Sequence, residues 1–226
     1  MPRSRRPSSA GLVFHVLNRA AKRAPLFEAP ADYAAFERIL REAVNRFAIS
    51  LFAYCLMPNH WHLVVRPDVD RALARTMHWV TTTHARRWQS ARGLDGHGAV
   101  YQGRYKAIPI ECDRHFLWVC RYVERNALRA NLVARAEEWE WSSAQRVADR
   151  GVPSFLARWP VARPEGWLDQ VNEPQTEAEL RSFRRSMREG QPFGSDEWCR
   201  GVRGAAGIRE PRRPGRPRRS RRHCPL

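Results

Sequence analysis

The spacing of apolar residues changes several times along the chain, and each change predicts an element. Leu12 to Asn18 (LVFHVLN) is a short β-rich run. Asp32 opens a helix in which Tyr33, Phe36, Leu40, Val44 and Phe47 recur at helical spacing. Ser50–Met57 and His60–Arg66 flank Pro58-Asn59, which is the pattern of a hairpin with a two-residue connection. A second helix is predicted from Asp70 to about Arg92, with Leu73, Met77, Val80 and Trp88 inward. A loop containing Gly93, Gly96, Gly98 and Gly103 leads to a strand over Tyr105–Ile110, and a third helix runs from Glu111 towards Leu128. The order β-α-β-β-α-β-α predicts an α+β fold of the ferredoxin-like, split βαβ kind. It has an antiparallel sheet with two helices on one face and the third helix against or beside it. After Trp139 the pattern weakens. Trp139, Trp141, Trp159 and Trp167 stud a Pro-containing stretch, followed by a polar helix over Glu177–Glu189 and a short one over Ser195–Arg203. The chain therefore divides into a head (1–9), an α+β domain (10–136), a helical extension (137–205) and a tail (206–226).

Charge changes the picture. The 226 residues hold 40 Lys+Arg against 23 Asp+Glu, a net charge of +17, and only Lys22 and Lys106 are lysines. Arginine presents a planar fork that matches phosphate, so the expected partner is nucleic acid or an anionic surface. Much of the excess sits at the ends. The head carries Arg3, Arg5 and Arg6, and residues 200–226 carry ten Arg against Glu210 alone. Such Arg/Pro-rich ends have little to bury and are expected to be disordered when free. Gly215-Arg216-Pro217 flanked by arginines resembles an AT-hook, a minor-groove clamp. The longest strongly apolar run, Leu51–Met57, is too short to cross a bilayer, and no long apolar segment follows the basic N-terminus as a secretory signal needs. Five scattered cysteines without a CxxC argue against a disulfide framework or zinc cluster, and the expectation is a cytoplasmic, nucleoid-associated protein.

His60-Trp61-His62 is the first feature with chemistry in it. In a strand, residues two apart share a face, so the two imidazoles project together and Trp61, Leu63 and Val65 face the other way. On the third helix, Phe116, Cys120, Val123 and Ala127 form a packing face. Tyr122 lies roughly 130° from its middle. Asn126, four residues on, shares the side of Tyr122, with His115 a further candidate there. This places a phenol and an amide oxygen away from the packing face. His60, His62 and Asn126 around a cation, with Tyr122 beside them, is an arrangement suited to metal-assisted attack on a phosphodiester.

These residues carry a resemblance. Met57-Pro58-Asn59-His60-Trp61-His62-Leu63-Val64-Val65 resembles the His-hydrophobic-His strand of the single-tyrosine HUH transposases, and Tyr122 to Ala130 resembles their tyrosine helix. Phe14-His15-Val16 with Arg19 is similar to their first strand, Val100 to Tyr105 to the loop before the fourth, and Trp141-Ser142-Ser143 to the segment after the tyrosine helix. The Tyr-xxx-Asn form and the Gly-Arg-Pro tail resemble the REP-associated tyrosine transposases in particular. The resemblance implies an HUH-nuclease fold and Mg²⁺ or Mn²⁺ held by His60, His62 and Asn126. It implies Tyr122 as the nucleophile on single-stranded DNA, leaving a 5′-phosphotyrosine and a free 3′-OH, with a hairpin-forming repeat as substrate. The expected oligomeric state is a monomer or homodimer. One departure stands out: the family commonly has Asn-Pro near the end of that helix, where this chain has Asn126-Ala127, and losing the Pro should lengthen or loosen the helix end.

Candidate DNA contacts are Arg19, Arg104, Lys106 and Arg125 in the folded part and Arg216, Arg218 and Arg219 in the tail. Two rival classes use the same residues differently. A non-catalytic nucleic-acid-binding regulator derived from a transposase needs the charge and the aromatic sheet but not the phenol. A structural metal protein uses the histidine pair alone.

Overall fold

A computed structural model describes residues 10–148, 155–206 and 208. The expectations for the head, and for the tail with Arg216, Arg218 and Arg219, fall outside the described residues.

The predicted strands form. They are β1 (Val13–Arg19), β2 (Ile49–Met57), β3 (His60–Pro67) and β4 (Lys106–Ile110), in one sheet of order β2-β3-β1-β4. Every neighbouring pair is antiparallel. With α1 (Pro30–Arg46) between β1 and β2 and α2 (Ala72–Ser90) between β3 and β4, this is the ferredoxin-like split βαβ arrangement. Two local signals start α1. Pro30 sits in the first turn, where its missing N–H costs nothing. Asp32 Oδ2 accepts from the backbone N–H groups of Glu28 and Ala29 at 2.9 and 3.2 Å.

Strand alternation divides the apolar residues between two faces. Phe14, Val16, Trp61, Leu63 and Val65 pack against Phe36, Ile39 and Leu40 of α1 and Leu73, Met77 and Val80 of α2. Val13, Cys55, Met57 and Val64 face the opposite way, onto α3 (Arg114–Glu124). Phe116, Cys120, Val123 and Ala127 are all fully buried there, as their spacing predicts. Asp113 caps α3 by accepting from the His115 N–H at 2.7 Å. The helix does not run unbroken to Leu128. Arg125, at φ −78° and ψ 0°, interrupts it, and a separate turn, α4 (Asn126–Arg129), follows.

The weakly patterned remainder wraps the sheet. It contains α5 (Ser143–Ala148), α6 (Trp167–Asn172), α7 (Glu177–Glu189) and α8 (Asp196–Ala206). Trp167, Val171, Leu180 and Phe183 of α6 and α7 join the core beneath α3. Along the outer edge of β2, the Trp139 and Trp159 indoles donate to the Leu56 and Phe52 carbonyls at 2.8 and 2.9 Å. The Leu56 N–H donates to Trp141 O at 2.9 Å, and the Ala157 N–H to Leu51 O at 2.8 Å. Along the outer edge of β4, the Phe193 N–H donates to Pro109 O at 2.9 Å and the Glu111 N–H to Phe193 O at 3.0 Å. Glu124, fully buried, ties α3 to both α5 and α6 by accepting from Ser143 Oγ and Trp167 Nε1, each at 2.6 Å. Burial pushes its carboxyl up, and these two donors pull back against that shift.

Candidate active site

Three histidines gather on the α3 face of the sheet. His60 and His62 project together from β3 with ring centroids 5.0 Å apart. His15 of β1 joins them: its Nε2 and His62 Nδ1 are 2.8 Å apart, in nearly parallel rings. On the other side, His60 Nδ1 lies 2.7 Å from Asn59 Oδ1. A carboxamide oxygen only accepts, so His60 carries its proton on Nδ1 and offers a lone pair on Nε2. His62 does the same when its Nδ1–H donates to His15. Burial, helped by the Arg19 and Arg129 charges, lowers His60 to about 4. Burial and the neighbouring histidines push His62 well below 6.5, and burial, with Arg129, takes His15 to about 3. All three are therefore neutral at pH 7. Neutral imidazoles with Nδ1 engaged and Nε2 free are the donor chemistry a divalent cation needs. In the sequence His15 stood out only as part of a β-rich run and of the Phe14-His15-Val16 resemblance, without a role at the site.

Tyr122 lies against this group, its ring 6.0 Å from His62 and 6.2 Å from His15 by centroids. The sequence expectation that it points away from the packed interior needs correcting, because it is only 6% exposed. Trp118 stacks on one side of it at 5.7 Å, and Phe183 of α7 meets it edge-on at 4.7 Å. The extension supplies that cover, and a helical wheel of α3 contains no information about it. Asn126 is on the same side, also 6% exposed. Its Oδ1 accepts from Arg129 Nη2 at 2.6 Å, while its Nδ2 is buried without a partner among the described residues. An amide oxygen has two acceptor positions, so one remains beside the guanidinium. Arg129, half-buried, lies with Cζ 4.0 Å from the centre of the Tyr122 ring. The sequence reading missed Arg129 because one arginine among so many carries no signal of its own.

The other candidates lie elsewhere. His115 is not with Tyr122. It packs on Phe193 and forms, with Glu111 and Asp113, a cluster whose ligand-capable atoms lie within 4.8 Å of one another. Those carboxylates already have structural partners: Asp113 caps α3, and Glu111 accepts from Ser195 N and Oγ at 2.6 and 3.1 Å. Arg19 ends β1 opposite His60. Arg104 and Lys106 are exposed, and Arg104 lines a cleft of about 490 Å³ with Asn18, Arg86 and Tyr101. Arg125 donates to the carbonyls of Val171 and Asn172 at the end of α6.

The family model for IS200-like transposases matches residues 8–126, more than half of the chain. The chain belongs to the IS200-like transposase family. The match takes in all three histidines, Tyr122 and Asn126, and stops short of Arg129 and the extension. Among solved structures, this IS200-like transposase is similar to a REP-associated tyrosine transposase bound to a REP hairpin. The TM-score is 0.55 and the identity 18%, over 70% of this chain and 92% of that one. A Deinococcus radiodurans R1 protein described as a candidate transposase is a looser match, with TM-score 0.40 and 18% identity over 55% of this chain and 96% of that one. A search of curated protein sequences finds no match. Among the described residues, no helix is long and apolar enough to cross a membrane.

Proposed function

We propose that this transposase nicks and rejoins single-stranded DNA at hairpin-forming repeats, as a REP-associated tyrosine transposase, through a covalent link to Tyr122. The observation that carries this reading is the Tyr122 ring lying 6.0 Å from that of His62, a neutral imidazole that projects beside His60. His60 and His62 would hold Mg²⁺ or Mn²⁺, with the free acceptor position of Asn126 beside them; bound there, the ion polarises a phosphate oxygen. Tyr122 Oη attacks phosphorus, forming the Oη–P bond as the P–O3′ bond breaks. The phenolic proton passes to solvent, and the departing 3′ oxygen takes one up. The result is a 5′-phosphotyrosine and a free 3′-OH. Attack by another strand's 3′-OH reverses the step and joins the ends.

The Tyr122→Phe variant tests it. Hairpin DNA from the chain's own genome, incubated with Mn²⁺, should give a protein–DNA adduct that maps to Tyr122 by mass spectrometry and disappears in Tyr122→Phe, with folding and DNA binding retained. An adduct mapped to Tyr101 or Tyr105 would overturn the assignment. The burial of Tyr122 under Phe183 favours one second reading, a regulator that binds DNA without cutting it. In that case the wild type gives no adduct and Tyr122→Phe changes nothing.

A further inference from the structure

A guanidinium sits in this site without an acid. The partly buried Arg146, by contrast, lies 3.1 Å from Glu37. Arg129 has the Asn126 oxygen at 2.6 Å, a weak contact to the Tyr122 carbonyl at 3.4 Å and the face of the Tyr122 ring. Among the described residues it forms no ion pair with a carboxylate. Burial works against its charge, and the nearby Arg184 adds repulsion. A partly desolvated cation without a counter-charge is costly to fold around. Next to it, Asn126 Nδ2 is a buried donor without an acceptor among the described residues. Both open requirements, one for negative charge and one for an acceptor, arise in the turn that follows Tyr122. A phosphodiester oxygen meets both. Arg129 has five N–H donors and spends one firmly, on Asn126, so a fork towards an anion remains.

We propose that Arg129 and the Asn126 amide hold the phosphate that Tyr122 attacks. The identity of that phosphate as the scissile one rests on the proposed function; the contact itself does not. With its charge over the phenol ring, Arg129 also stabilises the negative charge that develops on Oη and on the phosphate oxygens as the bond forms. The family match ends before this residue.

The test needs no cleavage. In a Tyr122→Phe background with EDTA, a hairpin oligonucleotide with single-stranded flanks is scanned with neutral methylphosphonates, one linkage at a time. One linkage should weaken binding by about tenfold or more, the size expected of a charge-assisted contact. In Tyr122→Phe/Arg129→Gln that penalty should vanish while those at other linkages persist. Removing a cation that has no acid should also leave the melting temperature unchanged or raised, which a structural arginine would not do. The proposal is overturned if no linkage stands out, if its penalty survives Arg129→Gln, or if Arg129→Gln lowers the melting temperature without a linkage-specific effect. Failure of the adduct assay with the scan intact would instead indict the nuclease reading.

Discussion

His15 is where a single atom decides most. Its Nε2 must accept from His62 Nδ1–H if His62 Nε2 is to be free for a cation. The remaining nitrogen of His15, Nδ1, is buried without a partner among the described residues. His15→Phe keeps the ring's bulk and loses the acceptor, so Mn²⁺ affinity measured by calorimetry should fall about tenfold or more. His15→Gln, which offers an amide oxygen, should recover part of it. Equal affinities in all three proteins would separate His15 from the metal. A pH effect follows from burial. His15 is held to about 3 and His84, bonded to the Tyr101 hydroxyl, to about 4. Unfolded, both take protons near 6.5. Above that pH, protonation favours neither state. Below it the unfolded chain gains protons that the folded chain refuses. Melting temperatures of metal-free protein should therefore decline as pH drops from about 6.5 towards 4, and a flat profile would contradict the depressed values.

At the scale of elements, α7 is a cover that comes from outside the residues matched by the family model. Phe183 is fully buried against Tyr122, His15, Trp118 and Phe193. Phe183→Ala should cost about 3–5 kcal/mol by the usual cavity penalty, measured by urea unfolding. Thr176→Ala should cost about 1 kcal/mol, because Thr176 Oγ1 accepts from the Glu179 N–H at 3.3 Å while Glu179 Oε2 accepts from the Thr176 N–H at 2.9 Å. The helix α3 and the strand β3 show what sequence can carry. The periodicity of Phe116, Cys120 and Val123 placed the packing face of α3, and the alternation around His60 and His62 placed both imidazoles on one side. Local rules suffice for both. The burial of Tyr122 depends on Phe183, sixty-one positions away, and the partners of His15 and Arg129 depend on strand register and on a break at Arg125. None of these is encoded in a local period.

Across the whole molecule, charge and connectivity act separately. Deleting residues 206–226 removes eight arginines. DNA binding should weaken for every sequence, and its salt slope should flatten by roughly 0.7–0.9 per lost phosphate contact, while the ratio of hairpin to scrambled DNA holds. A collapse of that ratio with an unchanged slope would put sequence reading in the tail. The sheet has a different dependence on the C-terminal half. The residues that pair with its outer strands are Trp139, Trp141, Ala157, Trp159 and Phe193, all later in the chain than the strands they cover. During synthesis the β1-to-β4 unit leaves the ribosome before them. For that interval both margins present bare N–H and C=O groups to any neighbouring nascent chain. Completion of the chain ends that exposure, so misassembly by strand exchange is a hazard of translation and not of the finished protein.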